Sequence, residues 1–262
     1  MFVAGIPSPA LNVIALGPLK IHFYALAILF GIVVAIKVTD RRLVAMGERA
    51  GLVSDIAIIV VPAGIIGGRL YHVLTTPELY FGKSGKPLDA LKIWNGGLGI
   101  WGAISIGALA AWWSYRRARP QLNFRYFADA IAPGLFLAQA IGRWGNWFNI
   151  ELFGKPTTLP WGLEVPRNFR PAEFLNYATF QPTFLYESIW CLLGAWIALK
   201  VRGEAGRVFW FYVGFYGIGR LWIETLRVDQ SHLLFSLRLN VWTSLFVIVL
   251  GGLGWWRTRS RQ

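Results

Sequence analysis

The sequence predicts an all-α integral membrane protein with seven transmembrane helices. Three features carry this prediction: the composition, the length of the apolar runs and the placement of basic residues. Of the 262 residues, 55% are hydrophobic and 15% are charged, whereas soluble domains carry about 25% charged residues. The 14 tryptophans and 29 glycines fit membrane helices, because tryptophan anchors at the interface and glycine lets helices pack closely.

Seven apolar runs account for the predicted spans. Each approaches the roughly 20 residues that a helix needs to cross the hydrocarbon core. The segment 1–18 before them holds three prolines and no lysine or arginine, so we expect a short outer segment at the membrane interface. The runs are 19–38, 53–74, 96–115, 127–141, 183–199, 208–226 and 239–256.

The basic residues predict the orientation. Clusters of them follow the first, third, fifth and seventh runs, and the positive-inside rule places such clusters in the cytoplasm. We therefore expect the N-terminus outside, the C-terminus in the cytoplasm, and 75–95 and 144–182 as outer-face segments of one polytopic domain, 1–262. This topology explains the net charge of +13, so no nucleic-acid partner is expected. The clusters contain Lys37, Arg41, Arg42 and Arg49; Arg116, Arg117, Arg119 and Arg125; Lys200, Arg202 and Arg207; and Arg257, Arg259 and Arg261.

A few ionisable residues lie within the apolar runs or at their ends. An arginine at mid-depth costs roughly 2.5–3.5 kcal/mol on insertion scales, so such residues are expected to face the bundle interior and to mark a functional site. They are Arg69, Asp129, Arg143, Glu187, Arg220, Glu224 and Arg227.

The arginines in this group predict an anionic ligand. Arg220, Glu224 and Arg227 share one helix face by their spacing, and one interpretation is that Arg220 and Glu224 form a pair that joins two helices. That interpretation leaves Arg69 and Arg143, which have few acidic residues nearby in the sequence. A guanidinium group stays charged and can donate two hydrogen bonds to a phosphate. The head group of an anionic phospholipid is therefore the expected ligand.

The stretch 142–154 is the most polar part of the predicted site. Its three glycines are expected to let the chain turn sharply and approach a ligand, while Asn146 and Asn149 offer donors and acceptors. On the second run, Gly67 and Gly68 predict either the same close approach or tight helix packing. The three glycines are Gly142, Gly145 and Gly154.

Six ordered motifs closely resemble those of the bacterial prolipoprotein diacylglyceryl transferase family. The resemblance runs along the whole chain, and its most specific part is the stretch 142–154. The motifs are 21–26 (IHFYAL), 67–70 (GGRL), 96–100 (GGLGI), 142–154 (GRWGNWFNIELFG), 181–187 (QPTFLYE) and 219–227 (GRLWIETLR).

The resemblance implies an enzyme of the bacterial cytoplasmic (inner) membrane with a small periplasmic head region. It implies transfer of the diacylglyceryl group of phosphatidylglycerol to the lipobox cysteine of a preprolipoprotein. The product is a thioether, and glycerol-1-phosphate leaves. The partners are then phosphatidylglycerol, the lipobox segment and membrane lipids. The few histidines and scattered carboxylates argue against a metal site, and no cofactor is expected.

The resemblance also assigns the site residues. Arg143 and Arg220 correspond to the family's essential arginines, and the charge argument adds further ligands of the phosphate. The predicted catalytic residues are Arg143, Arg220 and Tyr24. The predicted phosphatidylglycerol-binding residues are Arg143, Asn146, Asn149, Glu151, Gly154, Arg69, Glu224 and Arg227.

The base that deprotonates the substrate thiol is left open. Many relatives place a histidine at the position of Trp101, and relatives often have histidine at the position of Gln181. The base is then Tyr24, a carboxylate such as Glu151, or no dedicated residue.

A transporter or scramblase of anionic lipid is the alternative function. Its arginines would bind an anion in transit, and it would be expected to show a repeat or a pair of broken helices, which the sequence lacks. Cys191, the single cysteine, is expected to be a small packing residue. His22 and His72 are expected to pack at the interface.

Overall fold

The computed structural model describes residues 5–17, 19–83, 85–229 and 233–259. This part of the chain is mostly helical, with seven helices of 16 to 26 residues and one short helix. The helices are α1 Phe23–Ala45, α2 Leu52–Thr75, α3 Glu78–Phe81, α4 Ile100–Ala118, α5 Phe124–Asn149, α6 Thr183–Ala198, α7 Arg207–Leu226 and α8 Leu239–Arg257.

In the described part of the chain, three two-stranded antiparallel sheets connect these helices or precede them. In the first, Val13 pairs with His22 and Leu16 with Leu19. In the second, Leu163 pairs with Phe180. The strands are β1 Val13–Leu16 with β2 Leu19–His22, β3 Leu163–Glu164 with β4 Thr179–Phe180, and β5 Leu233–Leu234 with β6 Leu237–Arg238.

Three helices, α1, α2 and α8, are long and apolar enough to cross a membrane. Helix α6 is also apolar but has only 16 residues. The chain therefore carries membrane helices, as predicted. The bounds of α2, α6, α7 and α8 lie within one residue of the predicted runs.

The starts of two predicted runs are wrong. Residues 19–22 form strand β2, because Leu19 and Ile21 alternate with Lys20 and His22 in the period of a strand. The third helix begins at Ile100 rather than at residue 96, because Gly96 and Gly97 have φ angles of 83° and 77°, which lie outside the helical region.

The first compact unit comprises 1–39 and 128–262. Its main core lies where α5, α6 and α7 meet around the fully buried Phe136, whose ring packs edge-on against Tyr212 at 4.8 Å. Cys191 belongs to the same cluster and is 1% exposed, which agrees with its predicted packing role. Helices α7 and α8 meet closely, since a Cβ atom on Gly251 would lie 2.4 Å from the backbone nitrogen of Gly214.

The Asp129 carboxylate of α5 binds the start of another helix of this unit. Its carboxylate accepts hydrogen bonds from the backbone N–H groups of Gly206 at 2.7 Å and Phe209 at 2.9 Å. These N–H groups lie at the start of α7, where backbone donors have no acceptor within the helix. Asp129 therefore caps that helix from α5.

The segment after α5 builds a small second core in the same unit. Phe153, Leu163 and Phe180 are buried there. The N-terminal segment packs on this region, because Ile6 forms a bridge with Leu163 and the Trp147 indole donates to the Pro7 carbonyl at 3.1 Å.

The second compact unit comprises Asp40–Phe127 and packs α2 against α4. A Cβ atom on Gly67 would lie 2.4 Å from the Gly102 carbonyl oxygen, and the Gly68 carbonyl accepts a hydrogen bond from the Gly99 N–H at 2.8 Å. Both glycines lie inside α2. The packing alternative is therefore correct for Gly67 and Gly68, and the sharp turn is not formed.

Candidate active site

Helix α5 carries the first part of the site, and it is longer than predicted. It continues through residues 142–149 to Asn149, so the expected sharp turns at Gly142 and Gly145 are wrong. The helical register instead places Arg143 and Asn146 three residues apart on one face. Their side chains contact each other, with Arg143 Nη1 at 3.4 Å from Asn146 Oδ1.

The two helical glycines differ in their surroundings. A Cβ atom on Gly145 would lie 2.6 Å from Cδ2 of the Tyr24 ring, whereas one on Gly142 would have no atom within 4 Å. Gly145 therefore lets the predicted catalytic tyrosine lie directly against α5. At Gly142 the helix surface is open to a close approach.

The turn that follows α5 places Glu151 beside the C-terminal end of that helix. The N–H of Glu151 donates to the Asn146 carbonyl and the N–H of Ile150 to the Trp147 carbonyl, both at 3.1 Å, which is the Schellman pattern. Ile150 takes the left-handed position with φ of 53°, and Leu152 follows at 59°. For a β-branched residue this conformation costs on the order of 1–3 kcal/mol. Glu151 lies between these two residues, so the strained turn fixes the position of its backbone.

The side chains of both predicted asparagines contact the Glu151 carboxylate. Asn146 Nδ2 donates to Oε1 at 2.8 Å, and Asn149 Nδ2 contacts the same oxygen at 3.4 Å. Three residues of the motif thus form one hydrogen-bonded group beside Arg143.

Gly154 lies where the following loop passes the end of α7. Its N–H donates to the Gln181 carbonyl at 2.9 Å, and the next N–H, from Lys155, donates to the Leu226 carbonyl at 2.8 Å. A Cβ atom at position 154 would lie 2.7 Å from Gln181 Cβ and 3.1 Å from the Leu226 oxygen. The absence of a side chain here lets the loop contact both neighbours.

A single carboxylate from α6 joins the two predicted essential arginines. Glu187 Oε2 lies 2.7 Å from Arg143 Nε, and its Oε1 lies 3.2 Å from Arg220 Nη1. The Glu187 side chain is 8% exposed. The inference that Arg143 lacks an acidic partner is therefore wrong, because that partner is distant in sequence but adjacent in space.

Glu224 is the centre of the second half of the network. Its side chain is fully buried, and it accepts hydrogen bonds from Arg220 Nη2 at 2.7 Å, Arg238 Nε at 2.6 Å and Asn240 Nδ2 at 3.2 Å. Arg227 Nη1 lies farther away, at 3.7 Å. The predicted pairing of Arg220 with Glu224 is thus present, within a larger cluster.

Asp229 completes the network after α7. It accepts from Arg227 Nε at 2.6 Å and from Arg238 Nη2 at 3.0 Å. Partial burial raises the pKa of this carboxyl, but the hydrogen bond and charge of Arg227 and the charge of Arg238 lower it more, so the net pKa lies below its usual value. The carboxylate is therefore ionised at neutral pH.

The sequence analysis did not identify three members of this network, Asp229, Arg238 and Asn240. They lie after the end of α7, in or directly beside the segment that links it to α8. The apolar runs and their ends hold more arginines than carboxylates, so counting charges gave no sign of a further arginine. Glu187 was recognised as embedded but was not assigned to the site.

The terminal nitrogens of Arg143 are held weakly. Nη1 lies 3.4 Å from Asn146 Oδ1, and Nη2 donates to the Tyr216 hydroxyl at 3.3 Å, both longer than a usual hydrogen bond. Two of the residues that Arg143 contacts, Glu187 and Tyr216, line a small cavity together with Arg220. This arrangement can bind an anion between two guanidinium groups if the anion takes the place of Glu187.

Arg69 lies in the second compact unit and has a different environment. Its guanidinium group donates to the backbone carbonyls of Asp89, Ala90, Gly96 and Gly97, and it stacks over the Tyr80 ring at 5.2 Å. These contacts tie α2 to the segment 89–97. Phosphate binding by Arg69 stays a prediction.

Two further predicted residues lie in that unit. His72 Nδ1 contacts the hydroxyl groups of Tyr80 at 3.0 Å and Thr76 at 3.2 Å, in agreement with a packing role. Trp101 lies in the first turn of α4 and is 47% exposed.

Comparison with known proteins agrees with the motif resemblance. The sequence model of the prolipoprotein diacylglyceryl transferase family matches residues 11–257. The phosphatidylglycerol–prolipoprotein diacylglyceryl transferase 2 of Streptomyces coelicolor is 51% identical over 95% of this chain and 79% of its own length. The corresponding proteins of Cutibacterium acnes and Frankia alni are 52% and 54% identical, over 92% and 95% of this chain and 82% and 66% of their own lengths.

Proposed function

Because the chain belongs to the prolipoprotein diacylglyceryl transferase family, we propose that it transfers the diacylglyceryl group of phosphatidylglycerol to the lipobox cysteine of preprolipoproteins. The observation that carries this proposal is the buried network in which Arg143 and Arg220 share Glu187. Both arginines belong to the motifs that match the family. They are the groups in the site best suited to hold a phosphodiester.

In the proposed reaction the substrate thiolate attacks the glycerol carbon that bears the phosphate ester. The S–C bond forms as the C–O bond breaks, and the electron pair stays on the phosphate oxygen. Glycerol-1-phosphate leaves with one more negative charge than the bound phosphodiester carried. Fixed guanidinium groups in a water-poor site stabilise that developing charge. Arg143 and Arg220 would supply this stabilisation.

Binding of the phosphate requires an exchange of partners. Glu187 occupies Arg143 Nε and Arg220 Nη1, so the incoming phosphate takes over some of these hydrogen bonds. The weakly held nitrogens of Arg143 are available first. Glu224, fully buried behind Arg220, keeps that arginine in place during the exchange.

The thiol proton must leave before attack, because the thiolate is the nucleophile. Glu151 is the acceptor that the geometry favours over Tyr24. Asn146 and Asn149 hold its Oε1, and Oε2 is the oxygen that can take the proton. Replacing Trp101 with histidine tests whether a base at that position contributes to the reaction. An unchanged rate would indicate that position 101 is not catalytic in this chain.

We also propose that the seven long helices are seven spans, with the N-terminus outside and the C-terminus in the cytoplasm of a bacterial cytoplasmic membrane. The three apolar helices α1, α2 and α8 and the distribution of basic residues support this topology. A phosphatase reporter that is active only outside the cytoplasm should be active when fused within 144–182 and inactive when fused after residue 202. The reverse pattern would exclude this orientation.

The activity is tested with purified protein in detergent, phosphatidylglycerol and a lipobox peptide. We expect a peptide product whose mass includes the diacylglyceryl group in a bond stable to hydroxylamine, as a thioether is. Arg143→Ala and Arg220→Ala should lose the product, while Arg202→Ala, an exposed arginine of the same unit, should retain it. If the wild-type chain forms no thioether product, the proposed function is wrong.

A further inference from the structure

The Arg238 side chain contacts two carboxylates and two backbone carbonyls. It lies at the end of β6, directly before α8, and its side chain is 16% exposed. Its Nε donates to Glu224 Oε1 at 2.6 Å and its Nη2 to Asp229 Oδ2 at 3.0 Å. Its Nη1 donates to the carbonyl oxygens of Arg227 at 3.2 Å and Asp229 at 3.0 Å. The guanidinium group is therefore fixed in both position and orientation.

The two oxygens of Glu224 are divided between two arginines. Oε2 accepts from Arg220 and Oε1 from Arg238, so the carboxylate lies between the proposed phosphate ligand and a second cation on its other side. Arg227 Nη1 lies 3.7 Å from Oε2, so Arg238 is the arginine whose charge acts at Oε1. That charge offsets the negative potential of Glu224, which would otherwise repel an anion bound to Arg220.

The charges of the described site are balanced only when Arg238 is included. Its arginines and carboxylates are equal in number; they are Arg143, Arg220, Arg227 and Arg238, and Glu151, Glu187, Glu224 and Asp229. Without Arg238 the group would carry one excess negative charge. An anionic head group would then enter a site of its own sign.

We propose that Arg238 is a positioning residue for the phospholipid phosphate, acting through Glu224 and Arg220. It neutralises Glu224 from the side away from Arg220 and so leaves Arg220 able to bind the phosphate. This inference rests on the proposed function and adds a residue that lies outside the motifs that match the family.

Arg238→Gln tests the inference, with Arg202→Gln as the matched control, because Arg202 is an exposed arginine in the same unit. We expect Arg238→Gln to raise the KM for phosphatidylglycerol roughly 5- to 30-fold, the factor that corresponds to about 1–2 kcal/mol, while kcat changes less than KM. Arg238→Lys, which keeps the charge, should recover most of the affinity. Arg202→Gln should leave both constants unchanged.

A second variant keeps the hairpin contacts intact. Asn240→Asp places one negative charge beside Glu224 Oε1, where Asn240 Nδ2 now donates at 3.2 Å, without altering Arg238. At pH 8 it should raise the KM for phosphatidylglycerol in the same direction as Arg238→Gln. This variant keeps the test decisive if Arg238→Gln fails to fold.

The readouts separate the two proposals. Binding without turnover is measured as the rise in melting temperature that phosphatidylglycerol causes in detergent-solubilised protein, with phosphatidylcholine as the control lipid. This rise should be smaller in both variants than in the wild type. The inference is overturned if wild-type protein is active but Asn240→Asp and folded Arg238→Gln bind phosphatidylglycerol normally. It is also overturned if Arg238→Lys loses as much affinity as Arg238→Gln. Absence of activity in the wild-type chain would instead overturn the proposed function.

Discussion

Glu187→Gln is the substitution that most directly tests how the site exchanges a carboxylate for a phosphate. The change keeps the size of the side chain and removes its charge. In the structure that charge holds Arg143 Nε at 2.7 Å and Arg220 Nη1 at 3.2 Å, and the side chain is 8% exposed. Two opposing effects follow, one on stability and one on affinity, and their signs can be measured separately.

The stability of the empty protein should fall. Removing one partner of a buried ion pair costs about 3–5 kcal/mol because it leaves charge uncompensated. Glutamine still offers one hydrogen-bond acceptor to the two arginines, so the lower end, about 3 kcal/mol, is expected. For a chain of this size that corresponds to a decrease of about 6–12 °C in the melting temperature.

The affinity for phosphatidylglycerol should rise instead. In the wild-type chain the phosphate must replace charge-assisted hydrogen bonds to Glu187, each of which contributes about 1.5–3 kcal/mol. Without that competition the head group should bind about tenfold more tightly. At saturating lipid this difference adds about 1.4 kcal/mol to the stabilisation by ligand, or about 3–6 °C.

The assay is the melting temperature in detergent with increasing phosphatidylglycerol, for wild type, Glu187→Gln and the control Glu204→Gln. Glu204 is an exposed glutamate in the same compact unit. The expected result is a lower starting melting temperature and a larger lipid-dependent rise for Glu187→Gln alone. If the lipid stabilises the variant no more than wild type, Glu187 does not compete with the phosphate and the exchange argument is refuted.

Three further substitutions test other parts of the structure. Gly145→Ala should lower kcat about tenfold or more by displacing the ring of Tyr24, which a Cβ atom would approach to 2.6 Å. Gly142→Ala, where a Cβ atom would have no atom within 4 Å, should fold normally, and equal activities of the two variants would contradict the predicted catalytic role of Tyr24. In Asp129→Asn the single amide oxygen can accept only one of the two N–H groups that the carboxylate binds, so the melting temperature should fall by about 2–8 °C through a loss of about 1–2 kcal/mol. Kinetic assays should show an unchanged KM for lipid. The depressed pKa of Asp229 means that its contribution is present at neutral pH and lost as the pH falls through that pKa, so the wild-type melting temperature should drop in acid below about pH 4. Asp229→Asn should be less stable at pH 7 and should show a smaller acid-dependent drop, and identical pH profiles would contradict this assignment.

Most of the helical architecture follows from hydropathy, and its exceptions have local causes. Runs of apolar residues placed α2, α6, α7 and α8 within one residue, because a long apolar run has few alternatives in a membrane chain. The end of α5 was underestimated by eight residues, since its polar side chains were expected to lie in a loop. In the structure Arg143 and Asn146 contact each other and the carboxylates of Glu187 and Glu151, so these two polar residues remain compatible with a helix.

The membership of the site was only partly predictable. Residues within one motif, such as Asn146 and Glu151, could be grouped because few residues separate them. The contacts of Arg143 with Glu187 and of Glu224 with Arg238 join different helices or a helix and a hairpin, and their spacing carries no information about that proximity. Arg69 shows the converse case, because the hydrogen bonds of an embedded arginine can go to backbone carbonyls.

The network explains how an anion site can exist in a folded membrane protein before its ligand arrives. Two arginines buried without partners would be too costly to hold together. The structure compensates Arg143 with one carboxylate, Glu187, which also contacts Arg220, while Arg220 donates to Glu224 as well. In the proposed exchange the ligand displaces Glu187, while Glu224 stays in place behind Arg220 because Arg238 and Asn240 also bind it.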